Sequence, residues 1–493
     1  MSIVIRADSS SQIGLGHLLR CRTLARELVR KGKRVTFVCR DLPFHQSNLL
    51  SSEGFEVHIL PRPANDRPSE LTDAGDTIEA IRNHAYECLV VDHYDLGRRW
   101  EMALRPYCHK MLVVDDLANR HHSCDVLLDQ NFQAPDRYAR LVDSHVQLLG
   151  PRYALLDRSY AMMKPRTRTD VTRVLLFFGG ADTANLTTLA IEELSAPDLT
   201  EIRLDVVVGS ANSNLQGIER LASQRGNTFL YPMQSSLAEL MHTADLSIGA
   251  GGATNWERLY SGLPSVVVSV ADNQVAVSEA LAQAGLIEYV GSHQDLRAGG
   301  LADAVRRLLA SPKRMRDVSE AGPLVVDGYG APRVAEVISP TAKEAMRLRP
   351  ALSSDAVLYF NWANEADVRR QSLNTEDITW SDHEKWFRER MESPDSELLV
   401  LETPEGLPIG QIRFDRVDES TYRLSYALDR LVRGRGIGKL LVQQGMMHMK
   451  SHGAHEIKAE VKSDNIPSVR IFQALNFIDG KNSNEVFCFR YSF

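Results

Sequence analysis

Short apolar runs alternate with amphipathic stretches along the first part of the chain. Residues 2–7 form the first apolar run, and the positions after it recur at helical spacing, with Gly32 as the stop signal. The apolar positions of this helix are Leu18, Cys21, Leu24, Ala25 and Leu28. Further buried strands are predicted at residues 35–39, 88–91, 111–114 and 126–128. Apolar strands separated by helices predict a parallel sheet with helices on both faces.

The same rhythm starts again after residues 164–166. Strands are predicted at residues 174–178, 204–208, 229–231, 246–248 and 265–270, with helices such as 237–242 and 275–284 between them. This pattern predicts a second α/β domain. Two open α/β sheets joined by a short linker leave a cleft, and ligands of such sheets bind beyond the carboxyl ends of the strands.

The pattern changes near Pro340 to strands arranged as a meander. Strands are predicted at residues 347–349, 398–402, 409–414 and 422–428, and residues 353–355 cap a helix. The predicted fold class is therefore two Rossmann-like α/β domains followed by an α+β domain. The predicted boundaries are 1–160, 161–340 and 341–493, in line with roughly 100–200 residues per domain.

Composition narrows the possible functions. The net charge of -7 argues against a broad nucleic-acid surface, although a few local donors can still hold a pyrophosphate. None of the six cysteines forms a C-x-x-C pair, so we expect reduced thiols and no zinc site. The first residues form a strand without a signal-peptide pattern, and no run has the roughly 18 apolar residues of a membrane helix. We expect a cytoplasmic protein with small-molecule partners, and no nucleic acid, membrane or obligate protein partner.

The junction between the first strand and the first helix is a candidate catalytic site. It contains Gly14-x-Gly16-His17. Glycines allow a ligand to approach the backbone, and a helix N-terminus favours an anion. A neutral His17 at this position could remove a proton from water. The alternative is a histidine that only caps or packs the helix.

The second domain contains two glycine-rich strand ends that could bind a phosphate. Gly180 follows the strand at 174–178, which is weak evidence because most Gly-Gly pairs mark turns. The stronger signal is the run 249–257, where glycines lead into a helix that begins with Ala253 and Thr254. Glu257, one turn inside, could accept hydrogen bonds from hydroxyl groups of a ligand. Its alternative role is a favourable charge in the first helical turn.

Several separated motifs resemble the UDP-sugar hydrolases of pseudaminic acid biosynthesis, the pathway to a nonulosonic acid. The motifs are residues 6–17, Arg20-Cys21, Val91-Asp92-His93-Tyr94, residues 114–118 and residues 149–153. The similarity covers about residues 1–335. It implies that His17 activates water against the anomeric carbon, with inversion and without a metal. The adjacent Asp115-Asp116 pair is interpreted as a structural strand end.

The block from Gly249 through residues 272–274 resembles the transferase that adds N-acetylglucosamine in murein synthesis, a GT-B fold. This resemblance implies that Glu257 binds ribose and that the main chain near Met233 meets uracil. The remaining UDP-sugar contacts are expected at Gly16, Gly180, Ala253, Thr254, Asn273 and Gln274. We expect Asn255 to face the cleft and to bind the sugar or order the water, a catalytic role. Tyr94 is a weaker sugar contact, or a buried tyrosine with a satisfied hydroxyl.

A second glycine-rich loop lies in the last domain. The run is Arg433-Gly434-Arg435-Gly436-Ile437-Gly438-Lys439, and a helix follows it directly. Consecutive amides and a helix dipole would face a pyrophosphate, with Arg433, Arg435 and Lys439 adding charge. The spacing resembles the acetyl-CoA loop of GNAT acetyltransferases over about residues 345–493. The alternative is a basic, glycine-rich turn.

Downstream residues support the GNAT resemblance. Asn465 and Ser468 match the second CoA-contacting motif. Leu428, also expected to bind acetyl-CoA, ends the strand from which residues 460–462 are expected to splay. Phe472 stands where the family often has a tyrosine, so water or another hydroxyl, such as that of Ser425, would replace its phenol as the general acid. Candidates for the base are Glu460 and His383; the alternative for His383 is an ordinary helix residue.

Together these features predict a bifunctional nucleotide-sugar enzyme. Acetyl-CoA is the expected co-substrate, and no metal is expected. The expected reactions are N4-acetylation of a UDP-4-amino-4,6-dideoxy-N-acetyl-altrosamine and hydrolysis of the diacetamido product to UDP and free sugar. Two alternatives stay open: a UDP-sugar-dependent glycosyltransferase with an accessory acetyltransferase, and a non-catalytic nucleotide-sugar sensor.

Overall fold

The chain forms two compact units in this computed structural model. Unit 1 is Met1–Ile338 and unit 2 is Ser339–Phe493. The structure describes residues 2–9, 15–62, 68–81, 85–132, 136–144, 146–209, 212–481 and 485–493. Gly14 and the rest of the predicted loop from 10 to 14 lie outside the described residues. The division of unit 1 at residue 160 stays a prediction.

The first sheet of unit 1 is parallel throughout. Its strands are β1 (Ser2–Ala7), β2 (Arg34–Cys39), β3 (Glu56–Ile59), β4 (Tyr86–Asp92), β5 (Cys108–Val114), β6 (Val126–Asp129) and β7 (Val146–Leu149). Its helices are α1 (Gly16–Arg30), α2 (Phe44–Ser52), α3 (Glu70–Ile81), α4 (Arg98–Leu104) and α5 (Arg158–Ala161). The strand order is β3-β2-β1-β4-β5-β6-β7, so the order reverses between β1 and β4. This confirms the predicted parallel sheet, with β3 and β7 as unpredicted strands.

The second sheet of unit 1 is also parallel. Its strands are β8 (Arg173–Phe177), β9 (Arg203–Val208), β10 (Thr228–Pro232), β11 (Leu246–Ala250), β12 (Ser265–Ser269) and β13 (Glu288–Ser292), in the order β10-β9-β8-β11-β12-β13. Its helices are α6 (Leu186–Glu193), α7 (Leu215–Arg225), α8 (Ala238–Thr243), α9 (Thr254–Tyr260), α10 (Val275–Gln283), α11 (Gly300–Leu309), α12 (Pro312–Val325) and α13 (Gly330–Ile338).

Successive residues of β8 enter two different apolar clusters. Val174 and Leu176 pack in one cluster, whereas Leu175 and Phe177 pack in the other. Since side chains alternate along a strand, both faces of this sheet are covered.

The last helix of unit 1 returns to the first half. Lys31 of α1 pairs with Glu336 of α13 at 2.9 Å, and Arg333 donates to the Arg152 carbonyl at 2.9 Å. The predicted segment 161–340 therefore ends in a helix, α13, that contacts α1 and the segment around Arg152 in the first half of unit 1.

Unit 2 contains one mixed sheet. Its strands are β14 (Arg347–Pro350), β15 (Ser396–Glu402), β16 (Pro408–Arg416), β17 (Thr421–Leu428), β18 (Glu456–Lys462), β19 (Ile478–Lys481) and β20 (Val486–Ser492). Its helices are α14 (Ala356–Ala363), α15 (Ala366–Gln371), α16 (Trp380–Glu392), α17 (Ile437–Ser451) and α18 (Ile466–Ala474). The order is β14-β15-β16-β17-β18-β20-β19.

The parallel pair β17–β18 opens after a short contact. Thr421 to Arg423 pair with Glu456 to Lys458, and the register ends there. Beyond these residues β17 and β18 do not pair with each other, which confirms the predicted splay. Across the described ranges, no helix is both long and apolar enough to span a membrane.

Candidate active sites

A cavity of ≈ 510 Å³ opens in unit 1 at the carboxyl ends of both sheets. Side chains that follow β1, β4 and β5 line one side, and loops that follow β11 and β12 line the other. Six predicted residues are among the lining: Gly16, His17, Tyr94, Ala253, Asn273 and Gln274. This is the location at which open α/β sheets bind ligands.

His17 lies in the first turn of α1, the helix that follows β1. Its side chain is buried, with 5% of the residue exposed. Its Nδ1 lies 2.5 Å from Asp92 Oδ1, and the ring of Tyr94 meets it edge-on at 4.5 Å between centroids. Helix α1 therefore brings the predicted base against a carboxylate at the end of β4.

Arg20, one turn further along α1, holds the same carboxylate. Its Nε and Nη2 donate to the two oxygens of Asp92 at 2.6 Å each, and Nη1 donates to Asp116 at 3.0 Å. Burial alone would raise the pKa of Asp92, but the charges of Arg20 and His17 outweigh it and hold that pKa below its ordinary value. Asp92 is therefore an ionised, fully buried partner of His17.

A second histidine, His93, lines the same cavity. Its Nε2 lies 3.2 Å from Asp8 Oδ2, and its Nδ1 accepts from the backbone N–H of Asp95 at 3.0 Å. Burial raises the pKa of Asp8, but the hydrogen bond from His93 and the charge of Arg6 lower it further than burial raises it. The cavity thus holds two histidine–carboxylate pairs at neighbouring strand ends.

Tyr94 links the two sides of the cavity. Its hydroxyl accepts from Asn273 Nδ2 at 3.2 Å and lies 3.4 Å from Asp116 Oδ2. Burial and the neighbouring Asp116 raise the pKa of this phenol, which keeps it neutral. The hydroxyl proton is directed at Asp116, so Tyr94 connects the Asp116–Arg20 pair to Asn273 across the cavity.

The predicted orientation of Asn255 towards the cleft is wrong. Asn255 is 1% exposed and is absent from the cavity lining. Its Nδ2 donates to the Gly251 carbonyl at 3.1 Å, and its Oδ1 accepts from Arg258 at 2.6 Å. Because α9 points the Asn255 side chain inward, its amide lies beneath the glycine loop with both polar atoms hydrogen-bonded.

Arg258 is a buried cation behind the same loop. Its Nη2 donates to the Ala250 carbonyl at 2.6 Å, while Nε and Nη1 have no partner among the described residues. Burial lowers its pKa to about 10, which still leaves it charged at neutral pH. Asn255 and Arg258 together bind the carbonyls of Ala250 and Gly251 on the inner side, while Gly251, Gly252 and Ala253 line the cavity.

Glu257 does not line the cavity. Tyr160, in α5, donates a hydrogen bond to its carboxylate. Burial raises the pKa of Glu257 to about 7, against the lowering effect of that hydrogen bond. Gly180, Met233 and Thr254 are likewise absent from the lining, so their predicted UDP contacts stay predictions.

The sequence analysis missed most of the polar lining. Asp8, Arg20, Asp92, His93, Gln130 and Asn131 line the cavity, and so does Asp116. Asp116 follows the end of β5, and besides the interpreted structural position it pairs with Arg20 at the cavity. Except for Arg20, each of these residues follows a predicted strand, and that position was the available signal. In the parts of the chain that the structure describes, no three His, Cys, Asp or Glu side chains gather as a metal site.

The glycine-rich loop of unit 2 leads directly into α17. Gly434 and Gly436 both have φ of +76°, a left-handed conformation that favours glycine, and a Cβ at Gly438 would lie 2.8 Å from Ile471. Lys439 is exposed in the first turn. The backbone N–H groups of this turn have no helical partner, so they could face an anion.

The two loop arginines are engaged within unit 2. Arg433 pairs with Glu365 and donates to the Leu428 carbonyl at 2.8 Å from Nη2. Arg435 donates to the Thr341 carbonyl at 3.1 Å. Their predicted role as added charge for a pyrophosphate is therefore shared with internal contacts.

The second predicted CoA motif forms a helix cap. Asn465 Oδ1 accepts from the Ser468 N–H at 3.2 Å at the start of α18, a standard N-cap bond. Ser468 Oγ lies 2.9 Å from the hydroxyl of Tyr426 in β17, and the Tyr426 ring meets Phe472 edge-on. Sequence reasoning missed this phenol beside Phe472.

The structure places the two candidate bases of unit 2 differently. His383 is 3% exposed, with Nε2 against the Ala356 carbonyl at 2.9 Å and aromatic rings on its faces. Burial lowers its pKa to about 4. This is the environment of a core histidine, which favours the alternative that His383 is an ordinary helix residue. Glu460 is exposed on β18, beyond the point where β17 and β18 separate.

Comparisons with known proteins match different families to unit 1 and to unit 2. Residues 345–478 match the family described as Acetyltransferase (GNAT) domain, and residues 174–323 match the Glycosyltransferase family 28 C-terminal domain. A UDP-2,4-diacetamido-2,4,6-trideoxy-beta-L-altropyranose hydrolase of Campylobacter jejuni is 28% identical over 59% of this chain and 99% of its own. An uncharacterised protein of Methanocaldococcus jannaschii is 22% identical over 98% of each chain.

A solved structure supports the fold of unit 1. The crystal structure of Acinetobacter baumannii MurG covers 69% of this chain and 99% of its own, with 13% identity and a TM-score of 0.50. The chain thus joins two Rossmann-like domains of the GT-B type, in a region similar to the hydrolase, to a C-terminal GNAT domain.

Proposed function

We propose that the chain carries out two consecutive steps on one UDP-sugar. Unit 2 transfers an acetyl group from acetyl-CoA to the 4-amino group of a UDP-4-amino-4,6-dideoxy-N-acetyl-altrosamine. Unit 1 then hydrolyses the UDP-2,4-diacetamido-2,4,6-trideoxy-altrose, as in pseudaminic acid biosynthesis. The observation that carries the hydrolase proposal is the His17–Asp92 pair, which faces a glycine-rich loop across one cavity.

The hydrolytic step needs only a base and a held leaving group. His17 Nε2 takes a proton from water as the water oxygen bonds to the anomeric carbon. The bond from that carbon to the phosphate oxygen breaks, and its electron pair leaves with UDP. Attack opposite the leaving group inverts the anomeric carbon, and the imidazolium returns its proton to solvent. The N–H groups of the loop 251–253 would bind the diphosphate of the leaving group.

The acetylation step uses the opening between β17 and β18. The neutral amine attacks the thioester carbonyl, the carbon–sulfur bond breaks, and the CoA thiolate takes a proton from water or from a hydroxyl such as that of Ser425. Glu460 is the candidate to receive the amine proton. The N–H groups at the start of α17 and the side chain of Lys439 would bind the CoA pyrophosphate.

The test gives the purified chain the UDP-4-amino sugar with and without acetyl-CoA and follows sugars and UDP by NMR. We expect acetyl-CoA to be consumed first and UDP to appear afterwards. The unit 1 cavity should prefer the acetylated sugar, because the relative that unit 1 resembles is named as a hydrolase of a UDP-diacetamido sugar. Equal hydrolysis of the amino and acetamido sugars would contradict this order.

A glycosyltransferase is the second candidate for unit 1. The match of residues 174–323 to a glycosyltransferase family favours it. In the same experiment, release of UDP only after an acceptor sugar or lipid is added would support this candidate and contradict hydrolysis.

A further inference from the structure

The cavity of unit 1 contains two histidines, and each faces a carboxylate through a different ring nitrogen. His17 meets Asp92 through Nδ1, whereas His93 meets Asp8 through Nε2. A neutral imidazole carries one proton, so the nitrogen that donates leaves the other as the basic atom. The hydrogen bonds therefore decide which histidine can act as a base.

His93 has no basic nitrogen left for water. The Asp95 N–H donates to Nδ1 at 3.0 Å, so Nδ1 carries no proton. Nε2 then carries the proton and donates it to Asp8 at 3.2 Å. Asp8 is itself fixed by Arg6 and by the backbone N–H of Arg40 at 2.7 Å. Both nitrogens of His93 are therefore occupied.

His17 has the opposite arrangement. Asp92 is an ionised carboxylate that only accepts, and its Oδ1 is 2.5 Å from Nδ1. An unprotonated Nδ1 would set its lone pair against that oxygen. Arg20 Nη2 also lies 3.2 Å from Nδ1, but it donates to the same Asp92 oxygen at the shorter distance of 2.6 Å. The carboxylate contact therefore decides the tautomer, and Nδ1 carries the proton. The lone pair is then on Nε2, which bonds none of the described residues, and His17 lines the cavity.

We propose that Asp92 and Arg20 are positioning residues that make His17 the base of the cavity by fixing its Nδ1–H tautomer. This inference rests on the proposed hydrolase function. Arg20 fixes Asp92 in turn, since it grips both carboxylate oxygens at 2.6 Å and is anchored on Asp116 at 3.0 Å. A planar guanidinium suits this two-point grip, which a lysine cannot reproduce.

The first test reads the tautomers directly and needs no turnover. The full chain is labelled with ¹⁵N-histidine, and the His17→Gln and His93→Gln variants assign the two rings in long-range ¹H–¹⁵N spectra. We expect the Nδ1–H form for His17 and the Nε2–H form for His93. Asp92→Asn should move only the His17 ring towards mixed tautomers. A His17 ring already in the Nε2–H form in the unaltered chain would overturn the proposal.

The second test measures hydrolysis of the UDP-diacetamido sugar. Asp92→Asn should lower kcat by about 10²-fold or more, close to loss of the base itself, with KM nearly unchanged. Arg20→Lys keeps the charge and should fall between Asp92→Asn and the unaltered chain. UDP binding by calorimetry serves as the folding control for each variant. Near-normal kcat in an Asp92→Asn protein that binds UDP normally would overturn the proposal.

The two tests separate this inference from the proposed function. If the unaltered chain hydrolyses no UDP-sugar but shows the expected tautomers, the proposed function fails while the tautomer assignment stands. If hydrolysis proceeds and the His17 tautomer is the wrong one, the inference fails while the hydrolase proposal stands.

Discussion

The two glycine-rich loops of the chain differ in the charged side chains around them. The loop 249–253 of unit 1 carries no cation of its own; Asn255 and the buried Arg258 bind its carbonyls from behind. The loop 433–439 of unit 2 carries three cations, yet Arg433 is tied to Glu365 and only Lys439 is exposed. Glycine spacing thus predicts the backbone of an anion site, but not which charges remain free for the ligand.

If the two units catalyse separate reactions, a variant in one unit should lose one activity and keep the other. The largest loss of activity should come from His17. We expect His17→Ala to slow UDP release by about 10²–10⁴-fold, the usual cost of losing a general base. Acetyl transfer, followed by thiol release from acetyl-CoA, should be unchanged. His109→Ala, at an exposed histidine near the start of β5, is the matched control. Parallel loss of both activities in His17→Ala would break the separation.

The next effect tests the loop of unit 2. Gly436→Asp places a negative charge and a strained left-handed residue, at φ +76°, before α17. Since such strain costs about 1–3 kcal/mol and the charge repels a pyrophosphate, we expect at least about a tenfold loss of acetyl transfer. Hydrolysis of pre-acetylated sugar should persist.

Gly406→Asp separates strain from charge in that experiment. Gly406 has φ of +81° in the β15–β16 turn of the same unit, so it suffers comparable backbone strain away from the loop. Equal loss of acetyl transfer in both variants would mean that the loop at 433–439 has no special role.

A smaller effect should come from Glu257. Burial raises the pKa of its carboxyl group to about 7. Only the ionised carboxylate can accept from both ribose hydroxyls, so affinity for uridine should rise several-fold as pH increases through about 7. Glu257→Gln should bind more weakly and lose this pH dependence. Calorimetric titration with uridine measures it without interference from phosphate ionisation. Identical pH dependence in both proteins would remove Glu257 from ribose binding.

The smallest effect should come from Lys439, the exposed cation of the second loop. Exposed ion pairs contribute about 0.2–1 kcal/mol, so Lys439→Ala should raise the KM for acetyl-CoA by a few-fold at most and leave kcat unchanged. The difference should shrink as salt increases. Lys385→Ala, at an exposed lysine of α16, is the control. A large fall in kcat would assign Lys439 a role in chemistry instead.

The sequence predicted the buried parts of the fold better than its edges. Strands such as β1 and β12 are buried along their length and appear as continuous apolar runs. The edge strands β3 and β13 were missed because they are only partly buried and mix polar with apolar residues. The parallel order also placed the cavity correctly, since carboxyl ends follow directly from strand positions.

Side-chain roles were harder to predict because they depend on packing partners far along the chain. His17 and His383 were both candidate bases on the same kind of evidence. Asp92 lies 75 residues from His17 and reaches it only through the sheet. His383 is instead enclosed by aromatic rings such as Trp380 and Phe387. Its local sequence is that of an ordinary packed helix and does not reveal which role the histidine has. Asn255 was misplaced because its orientation depends on Arg258.

The fate of the water oxygen tests the central claim most directly. The full chain is incubated with the UDP-diacetamido sugar in ¹⁸O-water, and both products are analysed by mass spectrometry immediately, before the free sugar exchanges its anomeric oxygen. If His17 activates water against the anomeric carbon, the label enters the sugar at C1 and UDP stays unlabelled. Label in UDP would mean attack at phosphorus and would contradict the account.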